Sequence, residues 1–261
     1  HAMPPAPTHC AVIAFIWDFD STLILGNQQE AIFAEYGVDG EAFWAEVEAL
    51  PRFHQERGEI ISRDTAYLVH LLTYVDAGVF PGLDNARLRE LGGRLQPSPG
   101  IPGFLEATRR HAAAGITVEH YAVSTGIRPM VEGSPIAPFL DGIWANTFLE
   151  HCAPPGFPRG AAAAPGAGRI TRQGLVVDGT TKTRAIFEIN KGANRDPAID
   201  VNAPLPEDGR RVPFSMLSGP IWRPGGVWQW QVIQQARNRL LVLLRLAPTG
   251  DLTALTTGIT E

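Results

Sequence analysis

Two carboxylates two residues apart, Asp18 and Asp20, follow directly on the run Cys10–Trp17 (C-A-V-I-A-F-I-W). A short, almost wholly apolar run of this kind reads as a strand buried on both faces, as in the interior of a parallel sheet. In such sheets ligands bind beyond the carboxyl ends of the strands. Acids are costly there unless they hold a metal or carry out chemistry. Paired carboxylates in that place can supply a nucleophile and a proton donor, or share a cation. The competing reading is that Asp18 caps a helix while Asp20 faces water, and the pair by itself leaves both open.

Three further features stand out by residue type. Of the 22 basic residues only Lys182 and Lys191 are lysines. In a chain whose ordinary surface cation is Arg, a lysine in Thr181-Lys182-Thr183-Arg184 stands out as a compact point charge; the alternative is a helix-surface cation. Tyr121-Ala122-Val123-Ser124-Thr125-Gly126 is an apolar strand running into hydroxyls, and taken alone Ser124 simply ends a strand. Arg128, Arg57 and His54 are candidates for substrate contact, each with a solvated surface role as the ordinary alternative. Trp17 reads as packing.

The elements that must position these residues follow from periodicity. The pattern from Gln28 to about Leu95 is helical, with apolar residues at three- and four-residue spacing in Glu41–Leu50 and Arg63–Val75 and breaks at Pro51, Gly58 and Pro81-Gly82. Phe104–Ala114 reads as another helix, Thr117–Val123 as a second strand and Asp141–Phe148 as a third. Ala153–Arg169 is a Pro/Gly/Ala-rich loop. A helix is expected over Lys182–Asn190, a loop over Asn194–Gly209 and a late buried strand over Arg239–Ala247. Strand and helix in alternation predict an α/β domain with a mostly parallel sheet.

Trp17-Asp18-Phe19-Asp20-Ser21-Thr22-Leu23 after an apolar strand resembles the first motif of the haloacid dehalogenase-like (HAD) hydrolases, in the form used by phosphoserine phosphatase and its relatives. Tyr121–Gly126 resembles the second motif, and Thr181–Arg184 the third, which needs one Lys. Arg128–Asp141, Thr180–Gly192 and Arg211–Ser215 are similar to a phosphoserine-phosphatase-like bacterial subgroup. The resemblance runs from about residue 11 to residue 215, with three motifs in order. It implies a HAD-type Rossmann-like core with a mostly parallel sheet and an inserted helical cap, the core over residues 10–26 and 98–261 and the cap over 27–97.

The resemblance also implies roles. Asp18 would be the nucleophile that attacks phosphorus, and Asp20 the acid that protonates the leaving alcohol and then the base that activates water. Ser124 would hydrogen-bond a phosphoryl oxygen, Lys182 would neutralise charge on Asp18 and the phosphate, and Ser21, Thr22, Gly126 and Arg128 would line the substrate. Mg²⁺ would bridge Asp18, the Asp20 carbonyl and the phosphate. The dehalogenase branch lacks an acid at the position of Asp20, so its presence favours phosphoryl transfer. The implied partner is a small phosphorylated metabolite resembling phosphoserine.

The resemblance breaks where the fourth motif should bring the acids that complete the Mg²⁺ site. No Asp or Glu occurs from Gly209 to Gly250, where 27 acids in 261 residues would place about four. Three of the six tryptophans crowd into Trp222–Trp230, and family-like text resumes at Val232. Residues 216–231 are then native divergence, an out-of-frame stretch, or a segment whose acids are replaced by Glu207, Asp208 or Asp200. The second functional reading is accordingly a catalytically impaired HAD scaffold with a binding role.

Composition sets the remaining bounds. Hydrophobic residues at 44% and charged residues at 19% support a sizeable core. A net charge of −5 gives no electrostatic footprint for nucleic acid or an anionic membrane, and no apolar run is long enough to span a bilayer. Two cysteines, Cys10 and Cys152, build no disulfide framework, so a reduced, cytoplasmic protein is expected. Oligomeric state is left open.

Overall fold

A computed structural model of the chain describes residues 11–109, 116–150, 169–191, 227–236 and 239–246. In chain order its elements are β1 (Ala11–Trp17), α1 (Gln29–Tyr36), α2 (Gly40–Gln55), α3 (Ala66–Asp76), α4 (Asn85–Gly92), α5 (Ile101–Arg109), β2 (Ile116–Ile127), α6 (Arg128–Gly133), β3 (Gly142–Asn146), β4 (Phe148–Leu149), β5 (Arg172–Gln173), α7 (Lys182–Lys191), β6 (Val227–Ala236) and β7 (Arg239–Leu246). Most of the Pro/Gly/Ala-rich stretch, the expected loop over Asn194–Gly209, and residues 216–226 lie outside the described residues. Among the described residues no helix is long and apolar enough to cross a membrane.

The fold is α/β, built on a five-stranded sheet in the order β3-β2-β1-β7-β6. β1 is parallel to β2 on one side and to β7 on the other, while β6 runs antiparallel at the edge. The apolar run read from the sequence is thus an inner strand, and Ala14, Phe15, Ile16 and Trp17 are all buried. Register pairs Trp17 with Ala122 in a parallel pair, so Asp18, just past β1, and Ser124, near the end of β2, lie at the same end of the sheet. Strand β2 runs on to Ile127 instead of ending at Val123, with an irregular step against β3 between Val123 and Ile127. The expected third strand is divided at Thr147, whose backbone and side chain bond Gly174 and Leu175, so β4 turns to pair with β5.

Four helices, α1 to α4, intervene between β1 and α5. Helix α2 continues through Pro51 to Gln55, a turn beyond the expected stop. A proline there removes one helical N–H, and the turn after it carries an Arg52–Glu56 pair, four residues apart, at 3.0 Å. Helix α3 starts from a single 3₁₀ turn at Arg63–Thr65 and buries Tyr67, Leu68, His70, Leu71 and Val75. This insertion is tied to the sheet domain through α4, which lies against α6 with backbones in direct approach. A Cβ at Gly92 would meet the Met130 carbonyl, and one at Gly133 the Arg89 carbonyl. Arg89 and Glu132 pair across the same contact at 3.1 Å.

Below the sheet's carboxyl end, Trp17 stacks on Phe15 and meets the edge of Phe104. Its indole N–H donates to Nδ1 of the fully buried His120 at 3.1 Å. The indole is a donor only, so the imidazole proton sits on Nε2, facing Thr108 Oγ1 at 2.9 Å. Burial, with the Arg109 charge adding to it, holds His120 down to about 3.

Two outcomes follow. Unfolded chains bind a proton at His120 below about pH 6.5 and folded ones do not, so stability should fall as the pH drops from there, by up to about 1.4 kcal/mol per pH unit. Denaturant titrations should show His120→Leu flattening that descent, although it is less stable at pH 7.5 because the Trp17 N–H loses its acceptor. Gly133→Ala should push α4 off α6 and cost about 1–3 kcal/mol in the same assay.

Candidate active site

The loop after β1 is wound tightly around the Phe19 carbonyl, which accepts from Thr22, Leu23 and Ile24 N–H at 3.3, 2.9 and 3.3 Å. Ser21 takes the left-handed backbone region at φ 53°, rare for a residue with a side chain, and its N–H bonds the Gly26 carbonyl at 2.8 Å. That return brings Asn27 and Gln28 back over the strand end. Asp18 stays accessible, with its side chain 51% exposed, and Oδ1 accepts from Phe19 N–H at 2.9 Å and from Lys182 Nζ at 3.0 Å.

Asp20 is in a different environment. Its Oδ1 accepts the main-chain N–H of Gln28 at 2.9 Å, and Oδ2 lies 3.4 Å from Gln28 Nε2. Burial pushes its carboxyl up to about 6, helped by the Asp18 charge and opposed by the Gln28 amide and Lys182. The two carboxylates therefore differ in environment, one open and one partly enclosed.

Ser124 is buried in the neighbouring strand, where Oγ accepts the Gly126 N–H at 2.9 Å and keeps its own proton to donate. The next carbonyl, that of Thr125, is bonded twice. Tyr67 on α3 donates its hydroxyl at 2.5 Å, and Asn146 at the end of β3 donates its amide. Burial pushes the Tyr67 hydroxyl well above its ordinary range, so it remains a donor. Asn146 Oδ1 in turn accepts Val177 N–H at 2.6 Å, tying the approach to α7 to the same point.

Lys182 is the first residue of α7, and the turn before it is built by Asp178. One Asp178 oxygen accepts from Thr180 and Thr181 N–H at 2.8 and 2.7 Å, and Thr181 Oγ1 accepts Asp178 N–H at 2.7 Å. These bonds hold the Asp178 carboxyl below its ordinary range. A capped start of this kind fixes where the first side chain of the helix points.

Of the residues singled out from the sequence, Asp18 and Lys182 are in contact, Asp20 stands on the loop after β1, and Ser124 lies in the last part of β2 at the same sheet end. Thr22 is buried in the Phe19 turn, and the Ser21 N–H is taken by Gly26. Arg128 opens α6 and pairs with Glu132 at 2.8 Å. Arg57 lies over the Phe53 ring, 3.6 Å from its centre, and His54 pairs with Glu59 at 2.5 Å, both at the tip of the insertion. Gln28, Tyr67, Asn146 and Asp178 escaped sequence reasoning. Of these, Asn146 sits at the carboxyl end of a strand, where the topological rule could have found it.

Two carboxylates, one open and one partly buried, with a hydroxyl and an ammonium at the same strand end, are groups suited to handling an anionic group. Among the described residues no group of three or more Asp, Glu, His or Cys that could hold a metal ion is present. The Asp18 carboxylate and the Asp20 main-chain carbonyl lie on the same loop, and two such oxygens would not by themselves complete an octahedral shell around a divalent cation.

No family model matches the chain. An uncharacterized protein of Borreliella burgdorferi is 38% identical over 211 residues, which cover 79% of this chain and 73% of that protein. Among solved structures the chain is similar to a HAD family hydrolase from Salmonella enterica serovar Typhi, with 19% identity, a TM-score of 0.47 and 73% of this chain covered. The match spans only 54% of that hydrolase. It is also similar to phosphoserine phosphatase, with 18% identity, a TM-score of 0.42 and 73% of each chain covered for the substrate-bound complex. A phospho-aspartyl intermediate analogue of phosphoserine phosphatase gives 21% identity, a TM-score of 0.39 and 74% of each chain. By its identity and coverage the chain belongs to one family with the Borreliella burgdorferi protein.

Proposed function

We propose that the chain is a HAD-type phosphohydrolase that releases phosphate from a small, phosphoserine-like phosphomonoester through an aspartyl-phosphate. The observation that carries this reading is the pairing of an open Asp18, held by Lys182 at 3.0 Å, with an enclosed Asp20 two residues on. The insertion α1–α4 is the cap of that enzyme in this reading, and Tyr67 is its contact with the loop after Ser124.

The steps balance as follows. An Asp18 carboxylate oxygen forms a bond to phosphorus as the bond to the ester oxygen breaks, and Asp20 gives its proton to that oxygen, releasing the alcohol. Asp20, now a carboxylate, takes a proton from water, whose oxygen attacks phosphorus. The bond from phosphorus to Asp18 then breaks, returning Asp18 as a carboxylate and Asp20 as an acid. Lys182 balances the charge that Asp18 and the phosphoryl oxygens bring together, and the Ser124 hydroxyl donates to one of those oxygens. A Mg²⁺ ion, which would add Lewis-acid stabilisation, would rest on Asp18 and the Asp20 carbonyl.

The incomplete donor set supports one other reading, a scaffold that binds a phosphorylated ligand without turnover. Phosphate release from p-nitrophenyl phosphate and phosphoserine separates the two. Asp18→Asn should abolish release while far-UV circular dichroism stays native, and retention of near-full activity would refute the role of Asp18. Activity should need Mg²⁺ on the order of millimolar, because the motif offers only one charged ligand and one carbonyl. Calorimetry showing tight stoichiometric Mg²⁺ binding would contradict that.

A further inference from the structure

Gln28 has no assigned part in the reaction, yet its side chain is fully buried and polar, and it spans the two loops of the site. Its Oε1 accepts the Ile127 N–H at 2.9 Å, at the end of β2. Its main-chain N–H donates to Asp20 Oδ1 at 2.9 Å, and its Nε2 lies 3.4 Å from Oδ2. A buried amide with both of its ends committed is costly to displace, so it behaves as a strut. Gly126 supplies a second, independent observation. A Cβ there would collide with Gln28 Nε2 and come within 2.9 Å of Asp20 Oδ2. Only glycine lets the second loop close on this pair.

We propose that Gln28 is the positioning residue for Asp20. It locks the first loop to the strand end beside Ile127 and so aims the Asp20 carboxyl at the leaving oxygen. This rests on the phosphohydrolase reading above. A residue that aims a proton donor matters most when the leaving group needs the proton, whereas a residue that only holds the fold together affects all substrates alike. Misplacement of an acid by about 1 Å is enough to cost roughly 100-fold.

The test is single-turnover release of the leaving group from phenyl phosphate and p-nitrophenyl phosphate, since p-nitrophenolate departs with little help from an acid. Gln28→Met keeps the length and removes both polar ends. It should slow the phenyl ester roughly 10- to 100-fold and the p-nitrophenyl ester less than about threefold. Gln28→Leu, which likewise leaves no side-chain amide beside Asp20, should give the same asymmetry and serves if Gln28→Met does not fold. Equal losses on both esters, or no loss on either, would overturn the positioning role while leaving the phosphohydrolase reading intact. A wild type that turns over only the p-nitrophenyl ester has no acid for Gln28 to aim, which overturns the proposal too. A wild type no more active than Asp18→Asn on both esters overturns the reading and the strut together.

Discussion

A carboxylate enclosed at the end of a parallel strand must be held by donors or it will draw in water and a proton, and the loops of this protein are arranged around that requirement at Asp20. The strand delivers the acid, but the strand's own backbone does not satisfy it. The loop has to turn back within a few residues, through the left-handed Ser21 and the bend at Gly26, to bring the Gln28 N–H onto it. Strain in that turn is tolerated because the Phe19 carbonyl and the Gly26 carbonyl fasten it. Asp18, two residues earlier and more than half exposed at its side chain, is left free to meet Lys182 and a substrate. Two chemically identical groups acquire different environments from eight residues of loop geometry.

The same site explains why the inserted helices cannot be treated as a separate attachment. Tyr67 from α3 and Asn146 from β3 converge on the Thr125 carbonyl, while α4 and α6 meet backbone to backbone at Gly92 and Gly133. A shift of the insertion against the sheet would strain the end of β2, which carries Ser124. A buried carbonyl that loses both donors costs more than either bond gained in making them. Asp178 extends the linkage to α7, because Val177 bonds Asn146 and the Asp178 turn sets the start of the helix that bears Lys182. The two carboxylates, the Ser124 hydroxyl and the Lys182 ammonium thus rest on three segments that are linked by bonds.

What the sequence made legible follows from how local each signal is. An apolar run ending in Asp-x-Asp, an apolar strand ending in Ser-Thr-Gly and a lone lysine opening a helix are patterns of a few adjacent residues, and β1, β2 and α7 stand where those patterns put them. Gln28 and Asn146 could not be read in this way. An amide has no preferred partner until the fold brings one, and theirs lie 99 and 31 residues away in the chain. Proline at position 51 was a local signal that misled, since the helix runs through it to Gln55 at the loss of one backbone donor. The length of β2 was underestimated for a related reason, because its last residues are held by Gln28 and the irregular pairing with β3 and not by an apolar pattern.

The central claim is that phosphate is transferred to Asp18, and chemical capture of the acyl phosphate tests it most directly. Wild-type protein turning over p-nitrophenyl phosphate would be quenched with borohydride, which reduces an aspartyl-phosphate to homoserine, and digested for mass spectrometry. Homoserine at position 18, absent without substrate and absent in Asp18→Asn, is the result expected. Turnover with position 18 unmodified, or with the reduced residue at another acid, would contradict the account.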